Sequence, residues 1–157
     1  MDEALVPEWM KKRRQEDELA ETKKEAARQQ AVEASLLLKQ EGPQFWHQLQ
    51  QSLAIAVDSL PVLKLMGSIT QYSEGIRIEV IYYHLVPIQT YTDIIYDSAR
   101  EVIRCTTMSG GICQLCLCLA SNNEIAVISD IGGLPMNPEQ ASEFIMRPMV
   151  DYVSAYK

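Results

Sequence analysis

Four cysteines lie close enough in the chain to hold a metal. Cys113-x-x-Cys116-x-Cys118 follows Cys105 at short range, and four thiolates suffice for tetrahedral zinc. Zinc-binding CxxC pairs, however, sit on tight turns that aim both sulfurs inward. Here Gln114 and Leu115 belong to an alternating run, ICQLCLCLA over 112–120, so Cys113 points away from Cys116 and Cys118. No second CxxC is present. The pattern predicts small apolar side chains in a reducing compartment, the cytoplasm, and no metal.

His84 ends a strand-like run, with Asp93 and Asp97 placed to lie across a sheet from it. A His–Asp pair is the core of a general base. A nucleophile to activate is missing: there is no GxSxG elbow and no cysteine at a helix start. Gly110-Gly111 joins two strands, and Gly132-Gly133 stands several residues ahead of a helix; neither carries the GK[ST] or GxGxxG of a phosphate loop. The reading is of no catalytic residue, no cofactor and no enzyme activity.

Lys11-Lys12-Arg13-Arg14, beside Trp9 and Met10, has the chemistry of a nucleic-acid or anionic-membrane contact. Glu16, Asp17 and Glu18 follow at once and cancel that field within a Debye length of about 8–10 Å. The whole chain carries a formal net charge of −7. Residues 1–30 hold seven basic against eight acidic side chains, so the excess lies in the remainder, seven against thirteen. An acidic body lacks the basic face that phosphate backbones require. No apolar run reaches bilayer length and no secretion signal opens the chain. Neither nucleic acid nor membrane is an expected partner.

The elements that must position these residues fall into two parts, an arm over 1–41 and a domain over 42–157. Residues 1–6 are expected to fray. From Pro7 to about Gln40 the residues are good helix formers, with charge pairs Glu8–Lys12, Arg13–Asp17 and Arg14–Glu18 at i,i+4 spacing. Lys12, Glu16 and Lys23 break the best heptad seam, which argues against a long coiled coil. Gly42-Pro43 is expected to break or kink this helix. A second helix, from Gln44 to Ser59, carries the stripe Phe45, Leu49, Leu53, Val57 and Leu60.

Six strands follow, near 63–71, 76–84, 89–96, 101–108, 112–120 and 124–130, joined by turns too short for anything but antiparallel neighbours. The 112–120 run reads as a strand covered on both faces. Asn137-Pro138-Glu139-Gln140 is a capping box opening a last helix, with Pro148 inside it. The fold class is α+β: a six-stranded antiparallel meander packed by two helices on one face, preceded by a long helical arm.

Two function classes stand out. The first is a non-catalytic protein-interaction module, homodimeric through the arm or the uncovered sheet face. Trp9, Arg77, Glu79, Ile81, Tyr83, Arg104 and Met108 would meet the partner, being the aromatic, aliphatic and arginine mixture that interfaces favour. The alternative is a small hydrophobic-ligand binder. Its pocket would lie between the sheet and the last helix, lined by Tyr82, Met149 and Tyr152, with Pro148 giving the helix room to stand off.

Overall fold

The computed structural model describes residues 5–157, so for residues 1–4 the expected fraying lies outside the described part. A six-stranded antiparallel sheet takes the order β1 to β6 without a crossover. The strands are β1 (Met66–Gln71), β2 (Gly75–Tyr82), β3 (Ile88–Asp97), β4 (Val102–Thr107), β5 (Ile112–Leu119) and β6 (Ile125–Ser129). Two helices accompany them, α1 (Glu8–Asp58) and α2 (Pro138–Ser154). This is the expected α+β meander. A 3-10 turn over Leu60–Leu63 takes up residues ahead of β1, which shortens that strand relative to its expected start.

The chain divides into two compact units, one running to Leu37 and the other Leu38–Lys157. In the first unit nearly every side chain is exposed, Trp9 at 67 %. Arg13 pairs with Asp17 at 3.3 Å and Arg14 with Glu18 at 4.0 Å. Glu8 pairs with Lys11, not with Lys12, at 3.5 Å. Such pairs add only about 0.2–0.5 kcal/mol each to a helix.

Gly42-Pro43 does not end the helix. One α-helix runs through it to Asp58. Pro43 lacks the N–H that would bond the carbonyl of Lys39, but both residues are exposed and water can satisfy the freed oxygen. The loss is offset just beyond, where Phe45, Leu49, Leu53 and Val57 are all buried on the sheet. Burying a side chain of that size contributes about 1.5–3 kcal/mol. Gly42 is there for close approach: a Cβ on it would stand 2.5 Å from the Tyr96 hydroxyl and 3.2 Å from Leu117. Tyr96 is itself stacked on Trp46, ring centroids 6.0 Å apart.

The register puts Ile76, Ile78 and Val80 of β2, Ile94 of β3, Ile103 of β4 and Leu115 and Leu117 of β5 on the face that the helices cover. α2 lies over β2 and β3 and buries Ala141, Ile145, Met149 and Val153. It starts on the expected capping box: the Asn137 side chain accepts from the Gln140 N–H at 2.8 Å, and Gln140 accepts from the Asn137 N–H at 3.0 Å. The helix continues past Pro148 to Ser154.

One expectation about β5 fails. Its Leu115–Leu117 face is buried, but Cys116 and Cys118 on the other face are only half-buried and Ile112 is exposed. The strand is interior to the sheet, between β4 and β6. Residues 38–58 of α1 and α2 both pack on the first face of the sheet, and within this unit the second face of β5 is only partly covered.

Candidate functional site: a cleft between the sheet and the last helix

Because α2 covers β2 and β3, the helix-side face of the sheet is left open toward β4 and β5. There the second unit carries a cleft of about 810 Å³, within the roughly 300–1,000 Å³ range of small-molecule sites. Thr90 and Thr92 of β3, Cys105 and Thr107 of β4 and Cys113 of β5 form its floor. Phe144, Ile145, Pro148, Met149 and Tyr152 of α2 make one wall. Met108, Ile112 and Ile131 close the end at the β4–β5 turn and beyond β6. Arg147 and Asp151 stand at the rim.

The wall follows from the helical pattern. Ile145 and Met149 are buried in the core, whereas Phe144 and Tyr152 lie one step round the helix and stay 36 % and 46 % exposed. Pro148 sits between them, and with no N–H it cannot donate the regular ladder bond to the Phe144 carbonyl. Tyr152 is packed edge-on to Tyr156, centroids 5.8 Å apart, and hydrogen bonding with the Tyr156 hydroxyl raises its pKa.

The floor is uncharged at neutral pH. Burial pushes the Cys105 thiol up to about 12, helped by the neighbouring Cys113, its direct partner across β4 and β5. Burial also raises the Cys113 thiol, with the Asp130 carboxylate 3.7 Å away working in the same direction. At the rim, Arg147 is paired with Glu143 at 3.1 Å. Thr107 is satisfied locally, accepting from the Gly111 N–H at 3.0 Å.

Thr90 and Thr92 are different. They are buried at 9 % and 3 % exposure, on the core-facing side of a central strand whose next core position is Ile94. Neither hydroxyl bonds a protein group among the described residues. No fully enclosed side-chain oxygen there lacks a partner, so both open onto the cleft.

Of the residues expected to line a pocket, Met149 and Tyr152 do so. Tyr82 does not: it is half-buried against the core near the end of β2, its ring 5.9 Å from His84. The sequence reading missed the floor. The threonines were read only as part of a strand, although two Thr at core-facing positions of QTYTDI were the available signal.

The other face of the sheet gathers Arg77, Glu79 and Ile81 of β2 and Arg104 of β4, all half-buried. Arg77 is held by both an ion pair and aromatic rings. Its Nε and Nη2 donate to the two Asp93 carboxylate oxygens at 2.7 and 2.9 Å. The guanidinium lies 4.0 Å from the centre of the Tyr91 ring and 6.0 Å from that of Tyr72, and the hydrogen bond to Asp93 raises its pKa. Tyr83 lies beyond the end of β2 and is exposed, Met108 lines the cleft, and Trp9 belongs to the first unit.

The remaining candidates are dispersed. Cys105 and Cys113 occupy the helix-side face and Cys116 and Cys118 the opposite one, so the four sulfurs do not converge. Among the described residues no group of three or more His, Cys, Asp or Glu could hold a metal. Asp93 is taken by Arg77, and Asp97 accepts from the Ala99 and Arg100 amides of its turn. Among the described residues no helix is long and apolar enough to cross a membrane. Comparison of the chain with family models, with curated proteins and with solved structures gives no match.

Proposed function

We propose that this chain is a non-catalytic binding protein whose working site is the apolar cleft between α2 and β3–β5. The observation that carries this reading is a concavity of ligand size, walled by Phe144, Met149 and Tyr152, onto which the hydroxyls of two mostly buried threonines open. An apolar cavity with a few placed polar groups is the usual composition of a small-molecule site. A ligand that binds only the folded chain raises its melting temperature, since binding at a hundredfold excess over Kd adds about 2.7 kcal/mol. Thermal shift across a panel of hydrophobic small molecules is the test. A subset should raise the melting point, and the gain should vanish in Phe144→Asp, which places a charge on the wall at a position outside the packed core. A flat response across the panel removes this reading.

A second reading keeps a specific observation of its own. The Arg77–Asp93 pair, held under Tyr91 on the uncovered face, presents arginine and tyrosine side chains already fixed in place. Such residues dominate protein interfaces, and a two-fold contact needs only one self-complementary patch. On this reading the chain self-associates as a homodimer, and Arg77→Glu shifts it to monomer in sedimentation equilibrium. An unchanged mass for that variant counts against it. The acidic body supports a role away from nucleic acid, and four free thiols suit a reducing compartment such as the cytoplasm.

A further inference from the structure

From the cleft's lining we infer that its ligand is an uncharged, mainly apolar molecule bearing an oxygen that hydrogen-bonds to Thr90 and Thr92, of the kind of a long-chain alcohol or acyl ester. The inference rests on the cleft being the binding site and adds the chemical class. Threonine and valine have nearly the same shape, and the neighbouring core positions Ile78, Val80 and Ile94 are aliphatic. Valine would therefore fit positions 90 and 92 equally well and leave that floor wholly apolar, whereas threonine keeps an accessible hydroxyl on it at each position. Two such hydroxyls, on the same side of one strand and both facing the cavity, offer donors and acceptors to something that enters it.

That molecule is neutral because the floor holds nothing to neutralise a charge. The cations and anions near the cleft are Arg147, Glu143 and Asp151 on α2 and Asp130 after β6, all exposed. Arg147 already has Glu143 at 3.1 Å. A carboxylate carried to the floor would be desolvated with no basic partner there, which is strongly unfavourable. A hydroxyl or ester carbonyl costs far less to bring in and finds Thr92 waiting. The rest of the molecule lies against Phe144, Pro148 and Met149.

The test uses the full chain and Nile red, an uncharged apolar dye, displaced by 1-decanol or by decanoate at pH 8. Decanol is expected to displace the dye at least about tenfold more effectively than decanoate. In the double variant Thr90→Val/Thr92→Val, decanol binding followed directly by calorimetry weakens about five- to tenfold, the loss of one or two hydrogen bonds. The same variant, without ligand, melts at or above the temperature of the parent chain, which shows that it folds. Equal displacement by decanol and decanoate, or an undiminished decanol affinity in the double variant, overturns the ligand class and leaves the cleft standing as a site. Dye that does not bind at all, or that binds Phe144→Asp as well as the parent, overturns both.

Discussion

At the scale of single residues, two side chains give the account its sharpest handles. Cys105 ionises near 9 in an ordinary setting, and burial lifts it to about 12 in the fold. Between those values the unfolded chain holds fewer protons than the folded one, so the fold loses stability as pH rises through that window. The stability is fully present below pH 9, and the loss is at most about 1.4 kcal/mol per pH unit. Melting curves from pH 8 to 11 should show the parent falling more steeply than Cys105→Ala, and parallel curves would mean that the thiol is not shielded. Asn137→Ala should lower stability by about 1 kcal/mol, because the capping box loses the acceptor for the Gln140 N–H. The cap was legible in the sequence, since its four residue types and their spacing are local. The thiol's burial was legible only in outline. Alternation placed Cys113 on the face of Leu115 and Leu117, but the face of Cys105 depended on the register between strands, and no local pattern told that the opposite face of β5 would stay half open.

Elements were legible where periodicity is sustained and illegible where packing overrules it. The stripe Phe45–Leu60 and the six alternating runs fixed the second half of α1 and the strand order, because each run buries one face against the others. Gly42-Pro43 misled, because in isolation that pair stops a helix, whereas here Gly42 is needed for the helix to cross Tyr96 and Leu117. The substitution Gly42→Ala separates the two causes. Alanine adds about 1 kcal/mol of helix propensity, yet its Cβ meets the Tyr96 hydroxyl, which the stack on Trp46 holds in place. Gly42→Ala should therefore lower the melting temperature in the parent and raise it in a Tyr96→Phe background, where the obstructing oxygen is gone. A stabilising effect in both backgrounds would return Gly42 to the status of a weak helix position. The wall of the cleft shows the same limit: the helical spacing of Phe144, Ile145, Met149 and Tyr152 was plain, but which of them would face water depended on where α2 crosses the sheet.

For the molecule as a whole, the unit Leu38–Lys157 holds every buried core residue among the described residues, and the described part of the unit that ends at Leu37 holds none. A chain beginning at residue 38 is expected to unfold cooperatively, within a few degrees of the full chain. Calorimetry checks this, and loss of a cooperative transition would show that the arm helps to hold the core together. The composition announced an acidic body and a balanced arm. It could not announce the cleft, which is assembled from β3, β4, β5 and α2, residues separated by up to about sixty positions and brought together only by the meander. The central claim is that this cleft takes an apolar guest, and the most direct measurement is a methyl-labelled NMR titration with 1-decanol. The account predicts saturable shifts at the methyls of Thr90, Thr92, Ile145 and Met149, with Ile81 on the opposite face unmoved. Shifts centred on Ile81, or none at any concentration up to the solubility of the alcohol, would contradict it.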